Sequence, residues 1–291
     1  MTSTSFATLA ERIDTLASTP SDAALPDDAE SVVARLLSAL EQGEVRSAER
    51  ERDGTWHAVP WVKRGILLGF RAGRVVPMPD ANGAMGAAWP AGFFDKHTIP
   101  PRVLSLGDGV RVVPGGTSIR RGSYVAPGVV CMPPVFINVG AHVGAGTMVD
   151  SHALVGSCAQ IGERVHLSAG VQIGGVLEPI NATPVIIESD AIVGGNSGVY
   201  EGTIVRSRAV LGAGVVLTRG TPVYDLVRER VYRAESGRPL EIPEGAVVVP
   251  GARAVRGAWA GAEGLSVQTP LIVKYRDEKT DLATALEQWL R

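Results

Sequence analysis

One six-residue period dominates the middle of this 291-residue chain. Stepping by six from Ile119 gives Ile119, Val125, Cys131, Ile137, Val143, Val149, Val155, Ile161, Leu167 and Ile173. All ten are apolar, where the 45% apolar composition would supply about four or five. Two residues before the period position lies another small or branched residue, as at Ala141, Thr147, Ala153, Ala159, Val165 and Val171. The residue after it is often glycine, as at Gly144, Gly156, Gly162 and Gly174. The phase breaks over 177–184 and resumes as Ile187, Val193, Val199, Val205, Leu211, Leu217 and Val223.

A period of six fits neither a helix nor a two-faced strand. Self-similarity at this period indicates a solenoid, a parallel β-helix in which three hexads close one triangular coil of about 18 residues. The branched residue then points into the prism and stacks on its equivalents in neighbouring coils. Glycine is expected to permit the tight corners, where φ is often positive. The break around Pro179 is expected to be an external loop that leaves the stacking intact.

The flanks divide the chain into residues 1–100, 101–225 and 226–291. In the first part, Leu9, Ile13 and Leu16 have helical spacing, and Val32, Val33, Leu36, Leu37 and Leu40 form an apolar stripe. Asp27 and Asp28 are placed to open that second helix and Gly43 to end it. The stretch from Trp56 through Trp61 to Phe70 reads as a strand or short helix packed on the helices. Residues Pro77 to Pro101, rich in Gly, Ala and Pro, read as a loop. In the last part, Val231-Tyr232-Arg233 and Ala246–Val249 read as the two strands of a hairpin, and Leu271-Ile272-Val273 as another strand. A helix follows at about 282–290, with Thr280 and Asp281 as cap candidates. The expected class is mainly β: a parallel β-helix with an α-helical, mixed N-terminal domain and a small C-terminal β-plus-helix segment.

A net charge of −2 gives no electrostatic reason to expect nucleic acid or a membrane surface as partner. Cys131 and Cys158 are too few for a disulfide framework, which suits a reduced, cytoplasmic protein. Met1 to Leu16 carries Glu11, Arg12 and Asp14 among its apolar residues, the pattern of neither a signal peptide nor a membrane span.

The text of the coils is more specific than their period. The segments Asn138–Ala141, Gly146–Asp150, Val155–Gly162, Val165–Ser168 and Ile173–Pro179 closely resemble the tetrahydrodipicolinate N-succinyltransferase family. The resemblance extends through Trp61–Arg71, Arg111–Pro114 and Val248–Gly251, and so over nearly the whole chain. It implies a left-handed hand for the coil. It also implies a homotrimer with active sites between neighbouring β-helices, and a C-terminal segment that covers the CoA arm. The implied reaction moves a succinyl group from succinyl-CoA, used as co-substrate, to the amino group of ring-opened tetrahydrodipicolinate, a step of diaminopimelate and lysine biosynthesis. No metal is expected.

That chemistry needs three things. An ammonium must lose a proton before it attacks a thioester. The acceptor's carboxylates need cationic or N–H partners. The oxyanion of the tetrahedral intermediate needs a donor. Asp150 follows Val149 where other hexads often place glycine, so the coil does not require an acid there. By resemblance it is the family's catalytic or acceptor-orienting acid, and either role fits. Arg111 matches the family's substrate-binding arginine. Ser157 matches or lies near the positions lining the acceptor and thioester site, as do Gly175 and Gly195. Lys274, Arg253 and Arg256 are the cationic candidates for CoA. Many members carry a Glu just after the serine of the coil beginning at Val193, and a second Glu three residues on. Here Gly198 replaces the first and Glu201 keeps the second. Glu201 can compensate only if the coil brings it to the cleft.

Rival readings share the scaffold, because a β-helix does not itself imply chemistry. They are a non-enzymatic binding solenoid, an acetyl-CoA-dependent N-acetyltransferase on the same acceptor, and a sugar acyltransferase. A zinc enzyme would need three converging imidazoles. His142, His152 and His166 are separated by ten and fourteen residues, with no close pair.

Overall fold

The computed structural model describes residues 3–78 and 92–277. Its central part is a three-sided parallel coil. The chain visits three ladders in rotation, and inward partners such as Val143 and Ile161 are 18 residues apart (161 − 143). The first face stacks Tyr124–Val125, His142–Val143, Gln160–Ile161, Ile186–Ile187 and Ile204–Val205. The second stacks Arg111–Val112, Val130–Cys131, Met148–Val149, His166–Leu167, Ile192–Val193 and Val210–Leu211. The third stacks Ser118–Ile119, Phe136–Ile137, Leu154–Val155, Gln172–Ile173, Gly198–Val199 and Val216–Leu217. Each strand is two residues long, so each face shows one outward and one inward side chain per coil. The inward positions given by the period are buried from Ile119 to Leu217 and form one continuous apolar core.

The glycines after the inward residues have a different purpose from the one expected. Gly144, Gly156, Gly162 and Gly174 do not have positive φ. A Cβ on Gly144 would lie 2.5 Å from the carbonyl carbon and oxygen of Gly162, and one on Gly156 would lie 2.2 Å from the nitrogen of Gly175. Bare backbone is required there because successive coils approach too closely for a side chain. The left-handed corners come two residues later, at Gly140, Gly146 and Gly170 and also at His152, Cys158, Arg164, Asp190 and Asn196.

The phase break is an outward loop, as expected. Gln160 pairs with Ile186, 26 residues on (186 − 160), so the loop adds eight residues to a coil without breaking its ladder. Val223 departs from expectation. It is buried, but the first face continues from Val205 to Ile242, not to Val223. The strand Val223–Asp225 instead leaves the coil to pair antiparallel with Arg230–Tyr232 and parallel with Leu271–Ile272. The expected hairpin partners are therefore corrected: 230–232 returns on 223–225. The strand Ala246–Ala254 joins the second face at Val210–Leu211 and pairs antiparallel with Ser266–Tyr275, which contains the expected strand at Leu271–Val273. The helix expected at 282–290 lies outside the described residues.

In the N-terminal part, α1 (Ser3–Ala17), α2 (Ala29–Glu41) and α3 (Pro60–Ala72) share one apolar core. The ambiguous stretch after Trp56 resolves into both alternatives. Trp56–Ala58 is a strand on Ala48–Arg50, and α3 starts with Pro60 in its first turn, where its missing N–H is not needed. Gly65 lets α3 cross close to α2 and α1, since a Cβ there would meet Leu36 at 2.3 Å and Ile13 at 3.0 Å. Asp28 precedes α2 without a side-chain cap bond, because Arg12 takes both carboxylate oxygens at 2.6 and 2.7 Å. The expected loop after Pro77 is also corrected in part. Phe93–Lys96 pairs antiparallel with Val75–Met78. The helical part rests on the coil through Val139 and Cys158, and Arg46, Ser47 and Trp56 bond to Gln160, Gly140 and Glu188 on or beside its first face.

Candidate functional site

The coil fixes where every outward or edge residue stands. Asp150 leaves the second face at its edge with the third. In register along that edge are Met132, Ser168, Gly194 and Gly212, so Asp150 is the one acid in its row. Its N–H donates to Leu167 O at 2.9 Å, which anchors the backbone to the next coil. Its Oδ1 accepts the Ser151 N–H at 2.7 Å, and Oδ2 lies 3.9 Å from His166 Nε2. The carboxylate is half-buried, with 32% of the side chain exposed, and His166 is 14% exposed.

His166, weighed in the sequence only as a zinc ligand, was not placed beside Asp150. The signal was arithmetic: in an 18-residue coil, Asp150 stacks on Ser168, and His166 is the outward residue two before it, beside Met148. Gly195 follows on the same edge, where a Cβ would meet Ala169 O at 3.2 Å.

Ser157, Gly175 and Glu201 come together on a different edge, between the third and first faces. A Cβ on Gly175 would lie 2.7 Å from Ser157 N, and Val176 N–H donates to Ser157 O at 3.1 Å. Glu201 has φ +54°, and its Oε2 accepts the Arg219 N–H at 2.8 Å. Within one chain, Asp150 and Glu201 therefore stand on opposite sides of the third face. The loop 177–184 rises beside Glu201: a Cβ on Gly202 would meet Thr183 O at 2.5 Å. Beneath this loop the buried ammonium of Lys63 donates to Ala182 O at 2.5 Å, and burial pushes its pKa down.

The position expected to carry a family Glu holds Gly198, and the ring of Tyr200 covers it. A Cβ at Gly198 would lie 2.4 Å from Tyr200 Cε2.

The cationic candidates are spread along one sheet. Arg111 is exposed at one end of the second face, two strands from Met148. Lys274 is exposed near the other end, opposite Val247, with Nζ 3.6 Å from Asp277. Seven strand steps separate Arg111 from Lys274, roughly 34 Å at about 4.8 Å a step. Arg253 is on the long antiparallel strand opposite Val267, and Arg256 is exposed just before the short helix Ala258–Ala262.

The three histidines considered for a metal are dispersed. His142 stacks on Tyr124 on the first face, His152 turns an edge, and His166 lies on the second face. Among the described residues, no group of three or more His, Cys, Asp or Glu side chains is arranged to hold a metal ion. No helix among them is long and apolar enough to cross a membrane. A cavity of about 400 Å³ lined by Glu41, Gln42, Pro101, Arg102, Val103, Asp108 and Arg121 contains none of the candidate residues.

Comparison with known proteins bears on these rows of residues. Residues 9–72 match the family described as tetrahydrodipicolinate N-succinyltransferase N-terminal, and residues 184–219 match the hexapeptide repeat of succinyl-transferase. A protein of Afipia carboxidovorans named 2,3,4,5-tetrahydropyridine-2,6-dicarboxylate N-succinyltransferase is 40% identical over 275 residues, 92% of each chain. One of the same name from Bradyrhizobium diazoefficiens is 43% identical over 265 residues, 89% of each chain. A third, from Nitrobacter hamburgensis, is 42% identical over 275 residues, 92% of each chain.

Proposed function

Because the chain belongs to the tetrahydrodipicolinate N-succinyltransferase family, we propose that it transfers a succinyl group from succinyl-CoA to the amino group of ring-opened tetrahydrodipicolinate. The observation that carries the site is the lone acid of its edge, Asp150, half-buried beside His166 where the other coils have methionine, serine and glycine. The amine nitrogen attacks the thioester carbonyl, a C–N bond forms, the C–S bond breaks, and CoA leaves as the thiol. The ammonium's proton must go to a base first, and Asp150 takes it or holds the nitrogen in place.

The same reading assigns Arg111 and Ser157 to the acceptor and Gly175, Gly195 and Lys274 to the CoA side, with Glu201 as a second carboxylate. These residues occupy two edges and one long sheet of a single chain, and the cavity described above holds none of them. A cleft formed by two neighbouring left-handed coils of a homotrimer would bring one edge of each coil to a common substrate. That supports a trimer as the working form, and the cytoplasm, where CoA thioesters are made and used, as its place. The three-part division at 100 and 225 belongs to the same proposal, with residues 241–248 completing the coil from the C-terminal part.

The test is CoA thiol release by the purified protein with enzymatically generated tetrahydrodipicolinate, comparing succinyl-CoA with acetyl-CoA. Turnover with succinyl-CoA at least tenfold above acetyl-CoA is expected. A preference for acetyl-CoA would overturn the donor assignment.

A further inference from the structure

Tyr200 occupies the edge position that follows an inward residue of the third face, where the two preceding coils have Gly156 and Gly174. An aromatic ring fits there only because two glycines make room for it. A Cβ on Gly174 would lie 2.8 Å from Tyr200 Cδ1. A Cβ on Gly198 would lie 2.4 Å from Cε2 and 2.8 Å from the hydroxyl oxygen. The ring therefore turns back over its own strand, and its hydroxyl ends above Gly198, the outward residue of the fifth of the six strands of the third face. The other outward residues of that face are mostly apolar: Phe136, Leu154 and Val216, beside Ser118 and Gln172. The Gln172 amide is directed to His152 O and Gly170 O, each at 3.3 Å, toward the edge that carries Asp150. A phenol thus stands on a largely apolar face between the edge of Asp150 and Gly195 and the edge of Ser157, Gly175 and Glu201. Ring packing over the glycines does not require the hydroxyl, since phenylalanine would fill the same space.

We propose that the Tyr200 hydroxyl is a substrate-contacting group that donates a hydrogen bond to an anionic oxygen of the reacting pair. The inference rests on the succinyltransferase reading. That reaction offers two such oxygens, a carboxylate of a bound substrate and the oxyanion formed at the thioester carbon. A phenolic O–H can donate to either.

The test is steady-state thiol release by Tyr200→Phe, with the acceptor and succinyl-CoA varied in turn. At least a tenfold fall in kcat/KM is expected. It appears as a raised KM for one substrate if the partner is a carboxylate, and as a lowered kcat if it is the oxyanion. A second variant, Gly198→Ala, leaves the hydroxyl in place chemically but displaces the ring. It should lose activity to a similar degree, with little further loss in the double variant. Wild-type turnover with Tyr200→Phe within twofold of it overturns this inference and leaves the proposed function standing. A wild-type protein that releases no thiol with these substrates overturns both.

Discussion

Gly144→Ala separates two reasons for glycine in a coil. Gly144 has ordinary φ, so alanine suits its backbone. Its Cβ, however, would sit 2.5 Å from the carbonyl of Gly162 and 2.7 Å from Glu163 N, all main-chain atoms that no rotamer change can move. Ordinary contact begins at 3.4 Å, so the two coils must separate by about 0.9 Å at this edge. The bond from Gly144 N to Ile161 O would stretch from 2.9 Å to about 3.8 Å, and that from Arg164 N to Ala145 O from 2.8 Å to about 3.7 Å. Two lost backbone bonds at about 1–2 kcal/mol each outweigh the ~0.4–1 kcal/mol that alanine returns by restricting the unfolded chain. The net loss is about 1–3.5 kcal/mol, roughly 2–14 °C in Tm at about 2–4 °C per kcal/mol. Gly146→Ala is the control. Its φ is +67°, but the nearest atom to its Cβ is Arg164 Cγ at 3.4 Å, and non-glycine residues already hold left-handed φ at other corners. The left-handed penalty of about 1–2 kcal/mol is only partly offset by the same unfolded-state gain, a net loss of up to about 1.5 kcal/mol. Differential scanning of both variants should place Gly144→Ala below Gly146→Ala. Equal or reversed Tm values would refute the close-approach account of these glycines.

Three further outcomes are expected. Asp150→Asn should reduce kcat by orders of magnitude while the circular dichroism and oligomeric state stay unchanged; near-normal turnover would remove Asp150 from the mechanism. Val155→Asp should abolish cooperative folding, because that side chain is fully buried in the prism and its carboxylate would find no partner there; a stable, folded variant would contradict the inward phase. His142 has its pKa pushed down to about 3, first by burial and then by Arg46, and its Nδ1 is buried without a partner among the described residues. Its folded pKa is below the unfolded one, so stability is present above about pH 6.5 and is lost, by up to ~1.4 kcal/mol per pH unit, as pH falls toward 3. His142→Phe, which keeps the stack on Tyr124, should flatten the Tm profile between pH 7 and 4.5, and parallel profiles would count against it.

The coil was legible because its core repeats. Each hexad buries its period residue, with the small or branched residue two before it, so the constraint on Ile119, Val143 or Val199 is the same and shows as a period. The flanks carry no such repetition. Nothing local distinguishes Val223 from Leu217, and only the pairing of Ile242 with Val205 tells the chain where the first face continues. Likewise Val231 and Val247 are both plausible strands, but which neighbours they join is a long-range choice. The helix at Pro60 was ambiguous because Ile66, Leu67 and Leu68 suit either element. Crossing at Gly65 and burial of Lys63 against the loop at Ala182 are tertiary facts.

The site shows the same division more sharply. Residues that do not serve the repeat could be picked out one at a time: Asp150 in a row of methionine, serine and glycine, Gly198 in place of a carboxylate. Taken one at a time they do not show that the 18-residue coil sorts them by remainder. Positions 150 and 168 share one edge, positions 157 and 175 another, and the eight-residue loop shifts later members so that Gly195 joins the first group and Glu201 the second. Two groups of candidates on separate edges have one third face between them, and that face is where Tyr200 lays its ring on Gly174 and Gly198. A single coil presents this surface as a wall, open on the side away from the prism. Closing it takes a second wall, which a neighbouring copy in the proposed trimer would supply. Mixing Asp150→Asn subunits with Glu201→Gln subunits then reads the geometry directly. If each cleft combines one edge from each of two copies, some mixed trimers regain a cleft with both carboxylates intact, and activity returns from two inactive parents. If both groups acted within one chain, no mixture would recover any.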